Sequence, residues 1–473
     1  MRKPFLLLCL LSTTLLAAFA CGGDDESTAA PAGGSGKAGT GGATAGSGGK
    51  SSSGQAGVAG SAGSGNTGGK GEPGTFCGLP NAVPVQAPIA VPDGFCARLY
   101  STTPATTPLV PRVIRVAENG DVFIAAPAQA TAGGAQGGKG AILIFPDDNH
   151  DGIADGELIF AGGKPWDGKA CYLHDADPDD IGCLHGISFH GSHIYFTRWN
   201  DVRRFAYKPG DRQATGPSEL VANLGMPMAD IEASVYRFTH TLDATKGGQM
   251  FVSRGRFDSF GCKPEDIGKG VVLTFSVAGA LPATAKVAAD GFRNPMYVRC
   301  DSFDSCYANE LTGDSWQTVG GREKLVKLDA STTGHYGYPC CAAPNMPVAP
   351  GADCSGVNAE LVSFLLGDTP FGLAFAPKTW PTPYAGGIFI AKHGTNGNWE
   401  NSNVVYVKTD PTNGLPVSQE NPFTKGFGRG EGTINGRATD VTFHPDGRMF
   451  VIDDTSGLVF WVAPNDLKTP EGW

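Results

Sequence analysis

The sequence predicts an all-β protein: a six-bladed β-propeller behind a disordered Gly/Ser/Ala-rich tether. Three observations predict it. Six hairpin signals recur along residues 76–473, each an apolar strand, a turn with Gly or Asp, and a second apolar strand. They return about every 55 to 75 residues, somewhat longer than the commonest propeller repeats. No long segment carries the 3.6-residue apolar period of a helix. Evenly spaced hairpins without helices suit a closed radial array. The competing two-sheet sandwich fits poorly, because a body of about 400 residues is too long for one sandwich.

The first unit is "PRVIRVAENGDVFIAAP", from Pro111, and the second is "LHGISFHGSHIYFTRWNDVRRF", from Leu184. The third starts at Thr239, the fourth at Asn294, the fifth at Phe371 and the last, "ATDVTFHPDGRMFVIDD", at Ala438. Asn119-Gly120 and Asp446-Gly447 are hairpin turns, because these residues tolerate positive φ. Most Val, Ile and Phe residues in the units are blade core. The first strand of each propeller blade lines the central channel, so residues at its start face the channel mouth. "GFRNPMYVRC" (291–300) therefore puts Arg293 and Asn294 at the mouth of the fourth unit. A guanidinium fork and an amide there can read an anionic, oxygen-rich ligand. The same arginine could instead close a loop by bonding carbonyls.

Ahead of the units, Met1-Arg2-Lys3 is basic, Pro4 to Ala20 is mostly apolar, and small residues precede Cys21. That pattern is a secretory signal, residues 1–20, whose apolar run is too short to span a membrane. It resembles a bacterial lipoprotein signal, in which Cys21 becomes the lipidated first residue; an ordinary cleaved signal is the alternative. Residues 22 to about 75 are almost all Gly, Ser, Ala and Thr and cannot bury a core. The expected organisation is a signal at 1–20, a lipidated cysteine and linker at 21–75, and the propeller at 76–473. The expected location is the cell envelope, periplasm-facing or at the surface, with the membrane touched only through the lipid. The formal net charge is −10, and removing Arg2 and Lys3 with the signal makes it −12. An acidic body argues against nucleic acid as a partner.

Of twelve cysteines, Cys9 and Cys21 belong to the signal and anchor. The other ten, an even number in an exported chain, read as disulfides. Cys171/Cys183 and Cys300/Cys306 are close enough in sequence to staple single loops. Cys340 and Cys341 are adjacent, so each is expected to pair elsewhere, with Cys354 a partner for one. No C-x-x-C or H-x-x-x-H spacing suggests zinc, and no C-x-x-C-H suggests a c-type haem. "DDNHDGIADGE" sets Asp147, Asn149, Asp151, Gly152 and Asp155 at places of a calcium loop, but the twelfth place is Leu158 instead of Glu. A solvated acidic turn is the plainer reading.

"GFRNP", followed some forty residues later by "GHYGYPCC", resembles the six-bladed PQQ-dependent glucose/sorbosone dehydrogenase family, its sorbosone-type branch above all. The likeness runs through the whole body and includes "THTLDATKGGQMFVSRG", "FIAKHGTNGNW" and "GRATDVTFHPDGRMFVIDD". The resemblance implies an enzyme that oxidises a sugar or related alcohol. PQQ lies across the channel mouth with Ca2+ beside it, a histidine takes the hydroxyl proton, and hydride passes to the quinone. His240 matches the base, with His185 as second choice. Arg293, Asn294, Lys392 and Arg437 match cofactor contacts. Carbonyls at Thr312 and Gly313 match the calcium site. Three departures stand out: Thr439 where a second arginine is usual, Arg256 where an aspartate stands behind the base, and Gly321-Arg322-Glu323 in place of an acidic run. A cation near His240 would lower its pKa. Without its own haem the chain would need a separate electron acceptor. Two other classes remain open: a non-catalytic propeller that binds carbohydrate or protein at the mouth, and a metal-dependent lactonase, which needs inward carboxylates at the axis.

Overall fold

A computed structural model describes residues 72–85, 88–102, 110–128, 140–164, 177–232, 239–256, 262, 269–313, 316, 321–395 and 398–471. The signal, Cys21, nearly all of the tether and Cys171 lie outside the described residues. What the structure describes is a six-bladed propeller with one hydrogen-bonded sheet per blade and a seventh, two-stranded sheet in an insert. After β1 (Phe95–Thr102), the first blade is β2 (Val113–Val116), β3 (Val122–Ala126), β4 (Ala141–Phe145) and β5 (Leu158–Gly162). The second is β6 (Ile187–His190), β7 (His193–Thr197), β8 (Asp201–Ala206) and β9 (Glu219–Asn223), followed by the short helix α1 (Met228–Glu232). The third is β10 (Leu242–Ala244), β11 (Gln249–Arg254), β12 (Val271–Ser276) and β13 (Lys286–Asp290). The fourth starts with β14 (Asn294–Cys300), β15 (Cys306–Leu311) and β16 (Arg322–Leu328). It is then interrupted by an insert carrying β17 (Gly334–His335), β18 (Cys341–Ala343) and β19 (Met346–Pro347), and finishes with β20 (Val362–Leu365). The fifth is β21 (Pro370–Phe375), β22 (Ile388–Lys392), β23 (Asn403–Val407) and β24 (Asn421–Pro422). The sixth is β25 (Ala438–Phe443), β26 (Met449–Asp453) and β27 (Leu458–Pro464), and β1 is its outermost strand.

Each expected unit therefore starts one blade, and β2, β6, β10, β14, β21 and β25 touch in turn around a closed ring. The last blade closes with the chain's own beginning. β1 runs antiparallel to β27 from Phe95↔Pro464 to Thr102↔Leu458, which removes a free edge between the ends. The expected turns form: Gly120 has φ +94° and Gly447 φ +98°. Buried side chains on both faces of strands such as β3 and β4 fill the space between blades. Cutting one such Leu or Ile to Ala would cost about 2–5 kcal/mol.

The channel axis is filled. Tyr297 on β14 donates its hydroxyl across the axis to the carbonyl of Arg112, beside the opposite strand β2. Beyond it, Asp440 of β25 is held by Arg299 at 2.8 Å and Arg115 at 3.5 Å. Gly372 on the intervening β21 makes this possible, because a Cβ there would lie 1.9 Å from the Asp440 carboxylate. All nine described cysteines of the body are disulfide-bonded. Cys300–Cys306 and Cys341–Cys354 pair as expected, and Cys77–Cys96 and Cys262–Cys340 join them.

Candidate active site

The start of every inner strand and the end of every second strand meet at one face of the ring, because the two run antiparallel. His240 precedes β10 there and is fully buried. Its Nδ1 lies 3.0 Å from the carbonyl of Ser253. A carbonyl only accepts, so the proton sits on Nδ1 and the lone pair on Nε2. Nε2 makes no well-formed hydrogen bond among the described residues, while the Trp199 carbonyl lies close enough to the ring to favour its protonation. Burial and then Arg254 push the ring's pKa down to about 3, against the pull of the Ser253 and Trp199 carbonyls. The depressing cation is thus Arg254 on β11. Arg256 instead gives its backbone N–H to the carbonyl of Arg293, 2.8 Å away.

His185 stands beside His240 on the second blade, buried, with its pKa held well below the ordinary range by burial, then by Arg112 and His240. Gly186 brings the two blades this close, since a Cβ there would lie 2.8 Å from the His240 carbonyl.

The fourth blade contributes Arg293 and Asn294. The Arg293 N–H donates to Glu310 Oε1 at 3.0 Å, and its Nη1 donates to the carbonyl of Thr312, also at 3.0 Å. Asn294 accepts from Thr239 Oγ1 at 3.1 Å and turns its Nδ2 to Met296 Sδ at 2.8 Å. Both residues are buried. Gly313 follows Thr312, packed under Tyr338 and Trp316. Lys392, at the end of β22, is buried between Asp368 at 3.1 Å and Glu420 at 2.9 Å. Arg437, at the head of β25, donates to Asp454 at 2.9 Å and lies over the ring of Trp399, 5.3 Å from its centre. Thr439 is part of the same turn: its hydroxyl bonds the Arg437 carbonyl and accepts from the Asp454 N–H, each at 3.2 Å. The residues singled out in the sequence thus head or end strands on five successive blades, where Arg293 touches Thr312 and Arg256, and Arg437 touches Thr439.

The sequence reading missed a further group. His393 stacks on Phe371 with ring centres 4.1 Å apart, and its Nε2 is 3.2 Å from both oxygens of Asp454. Asp454 is also bonded by Arg112 at 2.8 Å. Burial opposes its charge, but Arg437, His393 and Arg112 hold it well below the usual carboxylate range. Burial and Arg437 push His393 down to about 3. His393 was visible beside Lys392 in "FIAKHG", but no local spacing ties it to residues 112 and 454.

For metals, among the described residues no group of three or more His, Cys, Asp or Glu side chains is placed to hold an ion. In the calcium-like loop, Asp147 accepts from the N–H groups of Asp151 and Gly152, and Asp155 from that of Asp148. The buried axial carboxylate Asp440 is bonded by two guanidiniums.

No family model matches the chain, and no curated protein matches it in sequence. Solved structures do match in fold. A Trichoderma reesei protein of carbohydrate-active enzyme family AA12 superposes with a TM-score of 0.61 at 16% identity, over 80% of this chain and 99% of that one. The PQQ domain of pyranose dehydrogenase from Coprinopsis cinerea gives 0.60 at 16% identity, over 81% and 99%. The PQQ-bound aldose sugar dehydrogenase from Streptomyces coelicolor gives 0.50 at 15% identity, over 79% and 100%. At these identities the likeness establishes the shared propeller, and the chemistry of this chain rests on its own residues.

Proposed function

We propose that the chain is an oxidoreductase that oxidises the CH–OH group of a sugar or related alcohol with PQQ as cofactor. One observation carries the proposal: a neutral, buried imidazole, an Arg-Asn pair, a lysine and an arginine occupy four successive blades at one end of the channel. The sugar dehydrogenases of similar fold support it. The donor set fits the quinone. Guanidinium, amide and ammonium groups are what three carboxylates and two adjacent carbonyls bind. The lone pair of His240 Nε2 is a buried acceptor that a substrate hydroxyl would fill.

When bound, PQQ supplies the hydride acceptor. The chain's own residues supply the rest. His240 Nε2 takes the hydroxyl proton, while the Ser253 carbonyl keeps the other proton on Nδ1 and aims the ring. Arg254 and burial keep the ring neutral before the reaction and favour release of the proton afterwards. Glu310 and Thr312 hold Arg293 in place to meet an anionic ligand. Asn294, Lys392 and Arg437 would complete that contact.

Calcium fits less well. The Thr312 carbonyl, expected to hold it with Gly313, is the acceptor of the Arg293 guanidinium, so a second cation there would meet a positive charge. No step is assigned to a metal. Electrons pass to a separate acceptor in this proposal. The signal-like residues 1–20, Cys21 and the tether support a lipid-anchored place at the cell envelope.

The test is reconstitution. Purified protein mixed with PQQ and desalted should retain the quinone absorbance and reduce a dye in the presence of an aldose. Protein that retains no quinone would sink the proposal. One observation favours a second reading, a propeller that binds carbohydrate without oxidising it: Lys392 and Arg437 already face carboxylates. Sugar binding without quinone uptake would establish that reading.

A further inference from the structure

Arg293 is held from three sides. Its N–H bonds Glu310, its carbonyl accepts from the Arg256 N–H, and its guanidinium bonds the Thr312 carbonyl. Each supporting segment is in turn tied to one structure, the insert between Leu328 of β16 and Val362 of β20. On the segment before Arg293, β17 runs parallel to β13, with Asp290 opposite His335. His335 Nδ1 lies 2.6 Å from the Asp290 carboxylate, and the Tyr336 ring stacks on Phe292 at 5.0 Å. The Tyr338 N–H donates to the Gly291 carbonyl at 2.8 Å. Gly291 has φ +74°, and a Cβ there would lie 2.5 Å from the Gly337 nitrogen, so only glycine lets the insert dock.

On the segment after Thr312, the Tyr338 ring covers Gly313. A Cβ at Gly313 would lie 3.2 Å from Tyr338 and 3.3 Å from Trp316, and those two rings lie 5.1 Å apart. On the third segment, six residues past Arg256, Cys262 is bonded to Cys340, two residues past Tyr338. Cys341–Cys354 closes the insert on itself. One residue, Tyr338, thus touches the chain two positions before Arg293 and one position after Thr312, and is buried while doing so.

We propose that Tyr338, at the core of this disulfide-locked insert, is a positioning residue that sets where Arg293 presents its guanidinium to a ligand at the mouth. The identity of that ligand as PQQ rests on the function proposed above; the clamp itself does not.

The experiment uses the full chain with Tyr338→Ala and Tyr338→Phe. In ligand-free protein, Tyr338→Ala keeps the backbone bond to Gly291 but removes the ring over Gly313, so amide exchange in peptides covering 310–313 should rise about tenfold or more in Tyr338→Ala and stay near the parent rate in Tyr338→Phe, which keeps the ring. Peptides of the first blade should not change. Uniform acceleration everywhere, or none at 310–313, overturns the clamp. PQQ titration by tryptophan quenching should give a Kd about tenfold weaker in Tyr338→Ala and within about twofold in Tyr338→Phe, since misplacing a gripping group costs binding. In an Arg293→Ala background, Tyr338→Ala should add nothing to the Kd. Full additivity there means Tyr338 acts elsewhere and overturns the positioning role. If Tyr338→Ala does not fold, the double variant Cys262→Ser, Cys340→Ser releases the same insert and is read by the same two measurements. If the parent protein takes no quinone, the proposed function fails while the exchange result alone decides the clamp.

Discussion

His240 on the third blade and His393 on the fifth stand at the same mouth, and both rings have pKa values pushed down to about 3. Their partners differ. His240 hydrogen-bonds a carbonyl, with Arg254 as the nearest charge. His393 bonds the buried carboxylate of Asp454, which two arginines share, and stacks on Phe371. Burial sets the low pKa in both places. The partner decides what the ring can do next: His240 can take a proton and is driven to release it, whereas His393 is fastened into a charge network. The pair shows that a depressed pKa alone does not identify a base; the direction of the lone pair and the charge beside it do.

The strongest way to break this contrast is at Asp454. Asp454→Ala leaves Arg112, Arg437 and His393 facing a hole and should cost about 3–5 kcal/mol in urea unfolding, because removing one partner of a buried ion pair strands the others. A loss under about 1 kcal/mol would mean that the network is wet and His393 is not fixed by it. Next in size is the catalytic comparison. In protein reconstituted with PQQ, His240→Ala should lower kcat about a hundredfold while quinone uptake persists, the usual worth of a general base. His393→Ala should lower it less. The reverse order in steady-state dye reduction would transfer the base role to His393.

A smaller effect appears in the pH dependence of stability. Both rings stay neutral in the folded protein until about pH 3, but in the unfolded chain they take a proton near the ordinary histidine value of 6.5. Unfolding therefore binds protons between those values, and stability falls as pH drops from about 6.5 toward 3, by roughly 1 kcal/mol per pH unit for each ring. His240→Gln and His393→Gln should each flatten the slope of unfolding free energy against pH, relative to the parent. A slope unchanged by both would show that neither ring is buried in its neutral form. The smallest effect is expected far from either histidine. A chain beginning at Glu72 should melt within about 1 °C of one beginning at Cys21, because a Gly/Ser/Ala tether has nothing to bury; a fall of many degrees would show that it packs on the body.

The blades were legible because their signals are local. Alternating apolar residues and a glycine turn such as Asn119-Gly120 are written within about 20 residues, and the expected units begin within three residues of β2, β6, β10, β14, β21 and β25. Arg293 and Asn294 were placed at the mouth by the same rule. Arg254 was missed in favour of Arg256 because family spacing pointed two residues downstream, while the actual contact follows the pairing of β10 with β11. His393–Asp454 and Cys262–Cys340 were missed for another reason: 61 and 78 residues separate the partners, and nothing along the chain between them announces the contact.

By itself, then, the chain's residue order determined the six strand-turn-strand units, the side chains that head them and the oxidation of the nine described cysteines of the body, since each follows from near-neighbour chemistry or from an even cysteine count. Tertiary structure alone decided that β1 closes the sixth blade and that Tyr297 and the Arg299–Asp440 pair fill the axis. Those contacts form only once the ring has closed, because closure brings strands from opposite ends of the chain within bonding distance.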